Sequence, residues 1–124
     1  MRVRNGLNME QENEIRLEER GGVTLMDIRG DVTTFSEPFV REAYENAKAQ
    51  GTSRILLQFE ETAYINSGGI AVLIQLLAET KRNNQQIGIT GLSDHFKKIF
   101  NMVGITKFAK IYNTVEEALE SLSR

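Results

Sequence analysis

The chain has 124 residues, with 15 Lys and Arg against 17 Asp and Glu, a net charge of -2, one His and no Cys. That length suits one domain that buries about two-thirds of its unfolded surface, and the basic residues lie in scattered pairs such as Lys81-Arg82 and Lys97-Lys98, which argues against a nucleic-acid partner. Thiol catalysis, structural zinc and a His-based triad all lack their parts, and without a leader or an apolar run of about 18 residues the expected protein is cytoplasmic, with no direct membrane insertion.

Residues 1–12, MRVRNGLNMEQE, show no apolar periodicity and are expected to be a disordered tail, with Met9 as an alternative start and the domain running over 13–124. Ile15 and Leu17 alternate with charged residues, Arg20-Gly21-Gly22 supplies a tight turn, and VTLMDI (23–28) follows, which together predict a β-hairpin. Ser36 is placed to cap a helix whose first turn holds Glu37 and Pro38. Its apolar face would be Val40, Ala43, Tyr44 and Ala47, and Gly51 would end it. RILLQF (54–59) has the continuous apolar character of a strand covered on both faces. A second helix is predicted from Gly68 to Arg82, and QIGITG (86–91) gives the next strand. Ser93 then caps a third helix with Phe96, Ile99, Phe100 and Val103 on one face, closed by Gly104. FAKIY (108–112) is the last predicted strand. Thr114 with Glu117 three residues on forms a capping box for a last helix striped by Val115, Ala118, Leu119 and Leu122. The order β-β-α-β-α-β-α-β-α predicts a single small α/β domain, a mixed and mainly parallel central sheet packed by helices.

The stretch AYINSGGIAVLI (63–74) carries the chemistry. Ser67 could be a plain N-cap, a role that serine fills well. The two glycines after it work against that reading alone, since each costs a helix up to about 1 kcal/mol relative to Ala. What they offer is bare backbone at the positive end of a helix, open to another chain or to an anion. In the same helix Ile70, Leu73, Ile74 and Leu77 form a complete core face, and Val72 and Leu76 extend the apolar surface to one side, next to Gly69. Either a neighbouring helix covers them, or they belong to a docking surface beside Ser67.

Enzymatic alternatives find less support. Ser-Gly-Gly at a helix start suggests a nucleotide- or phosphate-binding enzyme, but the P-loop ending and the dinucleotide fingerprint are missing. No G-x-S-x-G surrounds Ser67, and His95 stands alone. Glu60-Glu61 could hold a cation, yet no further ligands are visible, so no metal, cofactor or catalytic residue is assigned.

The element order, Gly30-Asp31-Val32 after the second strand and above all INSGGIAVL (65–73) resemble a STAS domain of the bacterial anti-sigma-factor antagonist type, over about nine-tenths of the chain. The resemblance implies a non-enzymatic partner switch. The unphosphorylated domain would bind a serine-kinase anti-sigma factor, phosphorylation at Ser67 would abolish that binding, and a metal-dependent serine phosphatase would restore it. The contact surface is expected to comprise Asn66, Ser67, Gly68, Gly69, Val72 and Leu76, with Thr33, Thr34 and Ser36 from the loop after the second strand at the same sheet edge. Two positions depart from the family pattern, where Asn66 and Thr33 stand in place of acidic residues. The alternative that they raise is a scaffold subunit of a stress-signalling or lipid-transport complex with no phospho-switch.

Overall fold

The computed structural model describes residues 13–123. The expected tail, 1–12, lies outside the described residues. Strand β1 (Glu14–Arg20) and strand β2 (Val23–Arg29) form the predicted antiparallel hairpin, in register from Glu14 opposite Arg29 to Arg20 opposite Val23. Its two-residue turn is possible because Gly21 and Gly22 both take positive φ, 59° and 83°. The chain continues through α1 (Glu37–Ala49), β3 (Arg54–Phe59), α2 (Ser67–Arg82), β4 (Gln86–Thr90), α3 (Asp94–Met102), β5 (Lys110–Ile111) and α4 (Val115–Leu122). The five strands lie in the order β1-β2-β3-β4-β5, with every pair after the hairpin parallel. The fold class and element order are those predicted from the sequence.

Alternation along the strands divides the core in two. Met26 and Ile28 of β2, Ile55 and Leu57 of β3, and Ile87 and Ile89 of β4 join Tyr44, Leu73, Leu77, Phe96 and Phe100 on the face that α1, α2 and α3 cover. Val23, Leu25 and Leu56 point the other way, onto Ala118 and Leu122 of α4. Strand β3 is therefore covered on both faces, as its apolar run requires.

Three element ends differ from the periodicity. Helix α3 stops at Met102, with Val103 as its C-cap and Gly104 at φ 84°, so Val103 is exposed rather than part of the apolar stripe. Strand β5 is two residues long because the N–H groups of Phe108 and Ala109 both turn back to the carbonyl of Ile105 and leave the ladder. At the start of α1, Ser36 holds the predicted N-cap position but has helical dihedrals and makes no side-chain hydrogen bond to α1. Thr33 opens a short 3-10 turn, Thr34–Ser36, that runs directly into the helix.

Candidate functional site

Parallel strands bring their carboxyl ends to one edge of the sheet, and the loops 30–36 and 60–66 meet there. The contact is a knot of backbone bonds. Val32 pairs with Ile65 as an isolated parallel bridge, the Val32 N–H donates to the Tyr64 carbonyl at 2.9 Å, and the Asn66 N–H donates to the Val32 carbonyl at 3.1 Å. Side chains tighten it further. An Asp31 carboxylate oxygen accepts from the Tyr64 N–H at 2.9 Å, Glu60 accepts from the Gly30 N–H at 2.6 Å, and the Asn13 amide donates to the carbonyls of both Arg29 and Asp31. Glu60 also faces Arg29 at 3.7 Å, which occupies the carboxylate with the protein's own groups. The Arg29 guanidinium has its pKa raised, first by the hydrogen bond and charge of Asp27. Among the described residues no group of three or more His, Asp and Glu side chains is arranged as a metal-ligand set.

Helix α2 begins at this knot, and its cap is Asn66. With extended dihedrals, Asn66 places its side-chain oxygen 2.8 Å from the Gly69 N–H. Ser67 is thus the first helical residue and not the N-cap. It is exposed, and its hydroxyl makes no hydrogen bond among the described residues. A serine relieved of capping presents an uncommitted hydroxyl at the positive end of a 16-residue helix.

The glycines serve the fold from inside. A Cβ at Gly69 would overlap the Val32 carbonyl, and one at Gly68 would overlap the Thr34 hydroxyl. The space left by the missing side chains is filled by the 30–36 loop, which corrects the expectation that it stands open for a partner.

Other expected contact residues are also corrected. Val72 and Leu76 are 8% and 3% exposed and pack with Val40 beneath α1, so a neighbouring helix covers them. Ser36 is fully buried, its hydroxyl accepting from the Thr33 N–H at 2.9 Å. Gly69 is buried as well. Ser67 and Thr34 are exposed, and Asn66, Gly68 and Thr33 are half-buried beside them. His95 is exposed, its ring edge-on to Phe96. Two residues at this edge escaped the sequence reading: Phe35 and Tyr64 hold their rings in solvent. Their loop positions were the only signal, because an aromatic between elements looks the same whether it turns inward or outward.

The STAS domain family model matches residues 14–118. An anti-sigma-B factor antagonist of Staphylococcus aureus is 23% identical over 78 residues, which cover 63% of this chain and 72% of that protein. Its Listeria monocytogenes counterpart is 22% identical over 90 residues, covering 73% and 79%. Among solved structures, an anti-sigma factor antagonist from Mycobacterium paratuberculosis superposes with a TM-score of 0.76 at 16% identity, over 92% of this chain and 97% of that one. The Bacillus cell fate determinant SpoIIAA in its phosphorylated form gives 0.62 at 17% identity, over 87% and 98%. At these identities the superpositions speak to the fold. The family match itself runs from β1 into α4 and takes in the whole sheet and the start of α2, so the chain belongs to the STAS domain family.

Proposed function

We propose that this chain is a cytoplasmic, non-enzymatic regulator of the anti-sigma factor antagonist kind. It binds a serine-kinase anti-sigma factor through the sheet edge around Ser67 and is released when Ser67 is phosphorylated. The observation that carries this reading is the exposed Ser67 hydroxyl, which the Asn66 cap leaves uncommitted at the head of α2. The relatives named as antagonists supply the partner class. In the transfer step the Ser67 oxygen attacks the γ-phosphorus of ATP. Its bond to phosphorus forms as the bond to the bridging oxygen breaks, ADP leaves, and the hydroxyl proton passes to a base of the kinase. The product carries about -1.5 to -2 of added charge at the centre of a close contact, where desolvation and the nearby nucleotide phosphates oppose it. A metal-dependent serine phosphatase reverses the modification.

The deciding experiment incubates the protein with the serine-kinase anti-sigma factors encoded in the same genome and Mg-ATP, then maps phosphate by mass spectrometry. Ser67 is expected to be the modified residue. Ser67→Ala should bind the kinase and stay unmodified, and Ser67→Asp should lose at least about tenfold in affinity. A kinase that binds Ser67→Asp as well as the wild type would refute the switch. One observation favours a second reading: the residues bordering the hydroxyl, Asn66 and Thr33, are neutral. A chain that binds its partner but accepts no phosphate would be the scaffold subunit instead.

A further inference from the structure

Large apolar side chains that stand exposed among the described residues are Phe35, Tyr64, Met102 and Val103. The last two close α3 at the opposite end from Phe96. Phe35 and Tyr64, 63% and 59% exposed, belong to the two loops that meet at the head of α2. The Tyr64 ring is packed in place, and the backbone that carries the Phe35 ring is pinned. The Tyr64 N–H is held by Asp31, its carbonyl accepts from Val32, and its ring packs edge-on against Phe96 with centroids 5.9 Å apart. The Phe35 N–H is held by the Thr33 hydroxyl at 3.1 Å. A ring fixed before its partner arrives loses little freedom on binding, and buried aromatic anchors dominate interface energies.

Charge identifies what such anchors would meet. The loops 30–36 and 60–66, the loop 91–93 and the first two residues of α3 carry Asp31, Glu60, Glu61 and Asp94 and hold no Lys or Arg. Of the cations flanking these segments in sequence, Arg29 is engaged with Asp27 and Glu60, and Lys97 with Asp94, while Lys98 faces solvent. Glu61 and Asp94 face solvent.

We infer that Phe35 and Tyr64 anchor the partner beside Ser67, and that the partner surface seats the two rings among Lys and Arg side chains. The inference rests on the antagonist reading and specifies the kinase surface that reading requires. It is compatible with release by phosphorylation. The acidic rim steers association from a distance, whereas a phosphate on Ser67 meets the nucleotide phosphates that the kinase must hold at that atom.

Each serine-kinase anti-sigma factor of the genome is titrated against the chain with no phosphoryl donor present, and association and dissociation rates are recorded. For a kinase that binds, Phe35→Ala and Tyr64→Ala should each weaken affinity by about tenfold or more, and Met102→Ser should leave it within about twofold. Glu61→Lys should slow association by about threefold or more, and added salt should slow it for the wild type as well. Phe35, which packs against no other ring among the described residues, tests the anchor even if Tyr64→Ala loosens Phe96. Binding that survives both aromatic substitutions overturns the anchors and leaves kinase recognition standing. Association indifferent to salt and to Glu61→Lys overturns the basic partner surface. Absence of binding by the wild type to every kinase overturns the antagonist reading, and this inference with it.

Discussion

Gly69 cannot acquire a side chain without moving backbone, whereas at Gly68 the severe overlap is with a hydroxyl that can turn. At Gly69 the added carbon would overlap the Val32 carbonyl and crowd the Thr33 nitrogen at 3.1 Å. At Gly68 it would overlap the Thr34 hydroxyl, with the Thr34 nitrogen and Cβ at 3.1 and 3.2 Å. Gly69→Ala should therefore destabilise the domain by about 2 kcal/mol or more. Gly68→Ala should cost about 1 kcal/mol or less, because the gain in helix propensity offsets part of the crowding. In a Thr34→Ala background Gly68→Ala should cost less, because the overlapping hydroxyl is gone while the residue 34 nitrogen and Cβ remain. Denaturant unfolding of the two single variants, the double variant and the wild type should then give a coupling of up to about 1 kcal/mol. Full stabilisation by Gly68→Ala in the wild type would mean that Thr34 yields freely. The sequence alone shows two glycines at a helix start and leaves open what approaches them. The occupant is the chain's own loop, drawn in by the Val32–Ile65 bridge, a contact between distant positions that no local pattern reports. Asn66 was hidden for a related reason: Asn and Ser are comparable caps, and only the extended dihedrals of Asn66 decide which of the two adjacent residues does the capping.

Between helices, α2 shows both how much periodicity reveals and where it stops. Its spacing marks Val72 and Leu76 as apolar beyond the main stripe, but whether that flank is covered depends on where α1 lands. Here α1 lies across it, and Arg41 of α1 pairs with Glu79 of α2. Leu76→Glu should accordingly unfold the domain rather than spare it, with a loss of about 3 kcal/mol or more for an unpaired buried carboxylate. A melting temperature close to wild type would restore the docking reading. The Arg41–Glu79 pair carries a pH signature. Its hydrogen bond to Arg41, then the Arg41 charge, lowers the Glu79 pKa against the opposing effect of burial, and the same bond raises that of Arg41. A carboxylate whose folded pKa is depressed adds stability above its unfolded pKa and loses it as pH falls through the folded value. Glu79→Gln should cost about 0.5–1 kcal/mol at neutral pH, since the pair is partly solvated, and the gap should close as pH drops below the ordinary glutamate range of about 4.3. Urea titrations at several pH values measure it, and a constant gap would exclude the ion pair as its source. Element order was legible because each strand and helix carries its own period. The ends of α3 and β5 were not, because Gly104 and the Ile105 carbonyl set them through hydrogen bonds that apolar spacing does not encode.

Across the domain, the α4 face and the carboxyl edge of the sheet are held in different ways. The α4 side is closed by close packing: a Cβ on Gly88 of β4 would come within 3.0 Å of the Tyr112 ring and 3.1 Å of a Leu122 methyl. The carboxyl edge sends Val32, Ile65 and Leu92 into the main core. It is held by hydrogen bonds that converge from Asn13, Asp31, Val32, Glu60 and Asn66. On the proposed reading, such a frame would make Ser67 a charge switch on a rigid support and not the trigger of a rearrangement, since none of these bonds uses the Ser67 hydroxyl. Amide hydrogen exchange separates the two possibilities. The N–H groups of Val32, Asn66 and Gly69 are internally bonded although two of them lie in loops, so they should exchange slowly, near the rate set by global opening. Ser67→Asp should leave those rates within about threefold of wild type, a change of less than 1 kcal/mol in opening, while kinase affinity falls. An acceleration of about a hundredfold at these amides would mean instead that charge at Ser67 loosens the knot between the loops, and that release of the partner follows from disorder at this edge rather than from repulsion across it.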